Sequence, residues 1–221
     1  MQFKTQRLIL RDWHPAQDAR NAMDIYSDPQ VTKWIDLGSR DTSIWQVQGR
    51  LQRYVELAER SHNSRRSWAV VQKDIGRVIG AIVLSDLPDL PDKRALSGEA
   101  TADNLEADDL EADDLEADNL ETTDTEEISH VEIGWHFRPA SWGFGYATEA
   151  ASCVMRHSFE HLGLPSLLAV SQPENVRSIA MMNRLGMRYD GITTRCYGGK
   201  PMLLYKITAA DWQKRQDVNR S

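Results

Sequence analysis

The stretch with the most chemical content runs Phe137-Arg138-Pro139-Ala140-Ser141-Trp142-Gly143-Phe144-Gly145-Tyr146-Ala147-Thr148, where a strand pattern meets two glycines and then a helix pattern. Glycines at such a junction let consecutive backbone N–H groups turn towards one point at the positive end of the helix dipole, which makes a pocket for phosphate. The same arrangement also serves as a plain turn. Neither Gly-x-x-x-x-Gly-Lys-Ser/Thr nor a complete Gly-x-Gly-x-x-Gly fingerprint is present, which sets aside the two standard nucleotide loops. A second group lies just upstream. Along the alternating run from His130 to Phe137, the side chains of His130, Glu132 and His136 share one face, opposite Val131, Ile133, Trp135 and Phe137. Glu132 reads either as a proton acceptor working through water or as a sheet-edge carboxylate. A third group is Asn175 with Ser178 at the start of a helix pattern, readable as a cap and a first-turn polar residue or as part of a site. Cys153 and Cys196 have neither disulfide-framework nor metal-ligand spacing, so two reduced thiols and no metal site are expected.

The elements that must position these residues alternate between strand and helix. Arg7 to Arg11 is a short first strand and Asp18 to Tyr26 a helix closed by Asp28-Pro29. A longer helix begins near Thr42 or Ser43, its apolar stripe of Val47, Leu51, Tyr54 and Val55 more consistent with core than with a ligand box. Trp68 to Val71 and Val78 to Leu84 form a hairpin across Lys73-Asp74-Ile75-Gly76. The helix after the glycine loop runs from Tyr146 to Leu162 and stops at Gly163, with small residues that let it lie close to a sheet. Ser166 to Val170 is a strand and Asn175 to Leu185 a helix ended by Gly186; segments around Arg188 to Tyr197 and Met202 to Ile207 close the sheet. This order describes a mixed α/β layer structure, a mostly antiparallel central sheet flanked by helices.

With 221 residues, 41% apolar composition and seven Trp, the chain can build one domain with a real core. No apolar run approaches the ~20 residues of a membrane span, and Met1-Gln2-Phe3-Lys4 leads into a charged segment, so no membrane partner and a cytoplasmic location are expected. The net charge of −7 is misleading, because residues 98–127 hold 14 of the 33 acidic residues and no Lys or Arg. The remainder has 26 basic against 19 acidic residues, a surplus suited to a polyanionic ligand yet also ordinary for a surface. Four tandem copies of Ala-Asp-(Asn/Asp)-Leu-Glu, Ala102 to Glu121, dominate the acidic segment. A five-residue step scatters Leu105, Leu110, Leu115 and Leu120 around a helix and alternates them across a strand, so no apolar face forms. A solvated, disordered insert is expected, with an acidic arm for a basic partner as the alternative. Nucleic-acid binding is disfavoured, since no basic cluster carries interleaved aromatics.

Several ordered motifs together carry a resemblance. Glu132-Ile133-Gly134-Trp135, then Trp142-Gly143-Phe144-Gly145-Tyr146-Ala147-Thr148-Glu149-Ala150, then Asn175-Val176-Arg177-Ser178-Ile179 ahead of Leu185-Gly186-Met187, resemble the Gcn5-related N-acetyltransferase (GNAT) family, and within it the RimJ/RimL-like branch. Thr5-Gln6-Arg7-Leu8-Ile9-Leu10-Arg11 and the stretch from Tyr197-Gly198-Gly199 to Tyr205 extend the match over nearly the whole chain except the insert.

The resemblance implies a single domain over 1–97 and 128–213, with 98–127 as the insert and 214–221 as a C-terminal tail. It implies acetyl-CoA as co-substrate, its pantetheine arm against the backbone of His136, Phe137 and Arg138, and its pyrophosphate on Trp142, Gly143, Phe144, Gly145, Tyr146, Ala147 and Thr148, with Asn175 as a further positioning residue. The family's Gln/Arg-x-x-Gly-x-Gly/Ala pattern falls on Trp142, Gly145 and Ala147; Trp142 replaces the first residue, and Phe144 stands where Lys is frequent. Arg138 or Arg177 is expected to supply the missing charge. The reaction implied is direct attack of a neutral amine on the thioester, Ser178 protonating the leaving thiolate and Glu132, His130 or His136 taking the amine proton. The RimL-like pattern has an acidic residue near Tyr197, which this chain lacks. The acceptor is a protein N-terminus or a small-molecule amine, gripped between the helix pair from Asp18 to His62 and the loop from Arg195 to Lys200. Trp34, Trp45 and Tyr197 are candidates to line that pocket, with Trp34 and Trp45 equally readable as packing. The resemblance also allows a homodimer. The competing reading is a non-catalytic acyl-CoA-binding module that uses the acidic insert for protein contacts.

Overall fold

Alternation within the apolar runs splits the core into two layers with a sheet between them. The computed structural model describes residues 1–35, 39–60, 65–87 and 130–220; the insert at 98–127 lies outside the described residues. In chain order the elements are β1 (Phe3–Lys4), β2 (Leu8–Arg11), α1 (Pro15–Tyr26), α2 (Pro29–Thr32), α3 (Ile44–Arg60), β3 (Arg66–Gln72), β4 (Arg77–Asp86), β5 (Val131–Phe137), α4 (Tyr146–Glu160), β6 (Ser166–Ser171), α5 (Val176–Leu185), β7 (Arg188–Thr193), β8 (Met202–Thr208) and α6 (Ala209–Arg220). The sheet order is β1-β2-β3-β4-β5-β6-β8-β7. Every neighbouring pair is antiparallel except β5 and β6, which are parallel. This is the mixed, mostly antiparallel sheet that the sequence pattern requires.

Leu8, Leu10, Trp68 and Val70 pack on one face with Ala150, Val154 and Met155 of α4 and Met182 of α5. Their strand neighbours Ala69 and Val71 pack on the other face with Ala22 and Ile25 of α1 and Val47 and Leu51 of α3. The period of two in β3 therefore serves both layers. Local signals start and stop the helices. Ser43 Oγ accepts from the Gln46 N–H at 3.3 Å while the Gln46 side chain accepts from the Ser43 N–H at 3.2 Å, a reciprocal cap that starts α3. Gly186 takes the left-handed conformation (φ 84°) that ends α5.

Two features depart from the sequence reading. The first helix begins at Pro15, not Asp18: Pro occupies its first turn, and the Asp18 carboxylate reaches back to accept from the His14 N–H at 2.8 Å and from Arg11. Residues 214–220, expected as a tail, continue α6, so a boundary at 213 cuts a helix. That helix is polar around most of its circumference and docks through Trp212, whose ring lies 5.7 Å from Phe159.

The β4–β5 pairing carries a strict steric condition. Gly80 lies opposite Phe137, and a Cβ at Gly80 falls 2.4 Å from the Phe137 ring, which is buried. A Cβ at Gly134, three residues before Phe137 on β5, meets no atom within 4 Å. Gly80→Ala is therefore expected to cost about 2 kcal/mol, a fall of roughly 4–8 °C in Tm for a domain of this size. Gly134→Ala is expected to change Tm by less than about 2 °C; thermal melts of the two variants side by side check the pair.

Candidate active site

Between β5 and β6 the sheet parts. β5 pairs with β4 along its whole length, from Val131 opposite Asp86 to Phe137 opposite Gly80, whereas its register with β6 is the single pair Glu132 opposite Leu168. Above that point the strands diverge, and a cleft of about 990 Å³ opens between them.

One end of the cleft is built from backbone. Gly143 (φ 83°) and Gly145 (φ 78°) adopt left-handed conformations, Gly145 serving as the N-cap of α4. Among the described residues, no acceptor is bonded to the N–H groups from Gly143 to Thr148. Those donors converge at the positive end of a 15-residue helix, and Gly143, Gly145, Tyr146, Ala147 and Thr148 all line the cleft. The arrangement fits a pyrophosphate. Trp142 fastens the loop to β5, its indole N–H donating to the Phe137 carbonyl at 2.8 Å. The Arg177 guanidinium lies 4.7 Å over the Trp142 ring and lines the cleft, so α5 brings a cation to a loop whose own sequence lacks one.

Arg138 and Phe144 stand apart from this group. The Arg138 side chain bonds Ser141 Oγ at 3.0 Å and faces Asp24 at 3.6 Å, stapling the loop to α1. Its backbone N–H is bonded to Ile79 across the sheet. Phe144 is 62% exposed and stacks on Tyr146 outside the cleft. The charge expected of Arg138 is thus committed elsewhere, leaving Arg177 in that role.

The glycine loop is clamped from outside by the segment Thr5-Gln6-Arg7. Arg7 donates to the Phe144 carbonyl at 2.9 Å and to Glu149 Oε2 at 2.7 Å, and its guanidinium lies 4.6 Å over the Tyr146 ring. Glu149 Oε1 accepts from Thr5 Oγ1 and from the Arg7 N–H at 2.5 and 2.8 Å. Burial pushes the Glu149 carboxyl upward, but these donors outweigh it and hold the group below the ordinary carboxylate range.

Among the described residues, the opposite end carries one carboxylate. Glu132 is 7% exposed, and Tyr197 Oη lies 2.9 and 3.1 Å from its two oxygens. Burial lifts its pKa to about 7, against the opposing pull of hydrogen bonds from the Tyr197 hydroxyl and the Val170 backbone. His136 lines the same cleft, with Nδ1 3.4 Å from Tyr26 Oη. His130 does not reach the cleft. Asn175 and Ser178 do, and Asn175 is also a true N-cap, its side-chain oxygen accepting from the Ser178 N–H at 3.3 Å. Asn175 therefore caps α5 and also lines the cleft. Trp34 and Tyr197 line the cleft, whereas Trp45 is 77% exposed and takes no part. The Tyr197–Glu132 contact is not readable from the sequence, since it joins residues 65 apart through a turn with no regular period.

The comparisons with known proteins agree with this geometry. A family model described as an acetyltransferase (GNAT) domain matches residues 7–188. A parted sheet with a glycine-loop helix in the gap is the GNAT fold, and the chain belongs to that family of acyltransferases. The chain is 40% identical over 65 residues to the uncharacterized N-acetyltransferase YnaD of Bacillus subtilis, a match spanning 29% of this chain and 38% of that protein. It is 23% identical over 188 residues to the uncharacterized N-acetyltransferase p20 of Bacillus licheniformis, covering 85% and 83%. Among solved structures, the ribosomal-protein-S5-alanine acetyltransferase of Vibrio fischeri has a TM-score of 0.66 at 17% identity, covering 96% of this chain and 98% of that one. RimL, a ribosomal L7/L12 alpha-N-protein acetyltransferase in complex with coenzyme A, has a TM-score of 0.64 at 11% identity, covering 94% and 98%. Among the described residues, no helix is long and apolar enough to cross a membrane and no cluster of metal ligands occurs.

The outer clamp has a measurable signature. Because the folded-state pKa of Glu149 is depressed, its contribution to stability is present above the unfolded value near 4.5 and is lost as pH falls through the folded value. Glu149→Gln is expected to lower Tm at pH 7 by roughly 2–8 °C, for about 1–2 kcal/mol of lost charged hydrogen bonding. The gap to the parent closes as pH drops well below 4.5; melts from pH 3 to 8 check both the size and the direction.

Proposed function

We propose that the cleft binds acetyl-CoA and transfers its acetyl group to a primary amine, a protein N-terminus or a small-molecule amine. The observation that carries this reading is the meeting, in one cleft, of an unpaired row of backbone N–H donors with a buried carboxylate whose pKa lies near 7. The co-substrate supplies an acetyl group activated as a thioester. In this reading Gly143 to Thr148 and Arg177 hold its pyrophosphate, and the free edge of β5 at His136 to Phe137 accompanies the pantetheine arm. Glu132 takes a proton from the incoming ammonium or from the amine as it attacks, and Ser178 donates a hydrogen bond or proton to the departing sulfur. Neither cysteine fits a covalent relay. Burial, with Glu132 beside it, pushes the Cys196 thiol up to about 11, and burial also raises Cys153, so both stay protonated and direct transfer is favoured. The RimL and S5-alanine enzymes, which acetylate ribosomal proteins by name, share only the fold with this chain; their acceptors make N-terminal peptides the first to assay.

A base with pKa near 7 gives kcat a rising limb centred there, and the hydroxyl of Tyr197 holds that limb down. Tyr197→Phe is expected to move the limb upward by roughly one pH unit while leaving the plateau above pH 9 within about threefold. Glu132→Gln is expected to remove the limb and lower kcat at pH 7.5 by about 10²-fold. It also has a stability signature of the opposite sign. A folded pKa above the unfolded value near 4.5 means that stability falls as pH rises from 4.5 through 7, so Glu132→Gln gains on the parent by about 3 kcal/mol at pH 8 and by nothing at pH 4. Unchanged kcat in Glu132→Gln removes it as the base.

Ser178→Ala is expected to reduce kcat by roughly ten- to a hundredfold with KM for acetyl-CoA moved less than threefold. Thiol release measured beside calorimetric acetyl-CoA binding checks it, and equal turnover in parent and variant removes Ser178 from the chemistry.

A further inference from the structure

A second pocket, of about 270 Å³, opens where α4, α5 and α6 meet, and each of the three helices brings a guanidinium to it: Arg156, Arg184 and Arg215. Ser152 and Gln216 line it as well and add neutral donors. Arg215 is placed by backbone. Its guanidinium donates to the Arg184 carbonyl at 3.1 Å and lies across Gly186, where a Cβ would fall 2.4 Å from Arg215 Nε. The left-handed glycine that ends α5 thus also makes room for this cation.

The pocket adjoins the cleft, for Ser152 and Arg184 line both. Along α4, Thr148, Ser152 and Arg156 recur every four residues and share one face, from the glycine loop towards the three guanidiniums. Along α5, Arg177, Met181 and Arg184 keep a matching helical spacing, and all three line the cleft. Helical side chains lean towards the N-terminus of their helix, so Arg156 and Arg184 extend back along this groove towards the loop.

We propose that this pocket seats a phosphate monoester, and that the monoester is the 3′-phosphate of coenzyme A. The proposal rests on the acetyl-CoA reading above and extends it to a part of the co-substrate remote from the thioester. In the coenzyme the 3′-phosphate stands one ribose away from the pyrophosphate. A coenzyme whose pyrophosphate rests on Gly143 to Thr148 therefore carries a second anionic group to the next turns of α4 and α5, where Ser152 and Arg184 join the cleft to the pocket. A phosphate monoester has a second pKa of about 6 and is close to a dianion at neutral pH. Guanidinium forks match its oxygens with paired N–H donors, and forks arriving from three helices surround it as one surface cation does not. The same chemistry suits a free phosphate, so the experiment separates the two sources.

Calorimetric titration of the full-length protein with coenzyme A and with 3′-dephospho-coenzyme A tests the proposal without any acceptor amine. The expected result is a Kd at least about tenfold lower for coenzyme A, with the two values within about threefold of each other in the double variant Arg156→Gln, Arg184→Gln. Dephospho-coenzyme A is expected to keep its affinity within about threefold in that variant, which reports an intact fold and pyrophosphate seat. Equal affinity of the parent for the two forms overturns the proposal and leaves the coenzyme reading standing. A preference that survives undiminished in the double variant overturns it too, since the 3′-phosphate is then read elsewhere. Loss of both forms together in the variant assigns the arginines a structural part and likewise overturns it. Inorganic phosphate is the free-anion arm: arginine-dependent phosphate binding beside equal affinities for the two coenzymes points to a free anion and removes the assignment to the coenzyme. Binding of neither coenzyme by the parent sinks the acetyl-CoA reading itself, and the proposal with it.

Discussion

The constraint on which the site depends is the parting of two parallel strands. A strand inside a sheet has both edges satisfied, and a strand that loses one neighbour must expose polar backbone to solvent or to a ligand. β5 keeps β4 along its full length and loses β6 after the pair Glu132 and Leu168. The polar backbone released in this way lines a cleft, and the chain refills the gap with the start of α4, whose first N–H groups are unpaired as well. Two glycines with positive φ make that entry possible, and the Trp142 indole bonded to the Phe137 carbonyl fixes the loop to the end of the parted strand. The first seven residues belong to this device. Thr5 and Arg7 do not reach the cleft, yet through Glu149 and the Phe144 carbonyl they hold the outside of the loop whose inside faces the cleft.

Charge is divided along the cleft in the way its chemistry needs. The helix terminus and Arg177 make one end attractive to a polyanion, and at the other end, among the described residues, stands the Glu132 carboxylate, whose pKa burial lifts to about 7. Those surroundings also hold the Cys196 thiol protonated, which leaves it out of proton exchange near neutrality. A family identity alone does not supply this division. It follows from which side chains the alternation of β5 turns to each face: Ile133 and Phe137 into the core beneath α4, Glu132 into the cleft.

Much of this was legible in the sequence because the signals were local. The period of two in His130 to Phe137, the glycine pair before a helix, and the Asn175 and Gly186 boundaries of α5 each arise within a few residues, and each appears where expected. What could not be read depends on distant partners. Phe3–Lys4 is too short for a pattern and becomes a strand only through its pairing with β2. The polar helix at the C-terminus has no apolar stripe, and its anchoring by Trp212 needs Phe159 from α4. Arg138 looks in sequence like the nearest cation to the loop, but α1 presents Asp24 to it, while Arg177, farther along the chain, arrives over Trp142.

The turn from Cys196 to Lys200 shows how one side chain bears on the protonation of Glu132. Tyr197, Gly198 and Gly199 have φ of 50°, 74° and 79°, and Tyr197 is the non-glycine residue among them, held in a conformation that a side chain rarely adopts. What the strained position delivers is the phenol on both oxygens of Glu132. A carboxylate at that point would act differently. Two buried carboxylates a hydrogen bond apart cannot both ionise, and one is pushed far up. A phenol in the same place stays neutral, donates, and favours the ionised form of its partner, bringing a deeply desolvated carboxyl back to about 7. The Tyr197–Glu132 pair thus holds one carboxyl where a carboxylate pair holds two, and the left-handed turn at Tyr197 is the local cost of placing the phenol there.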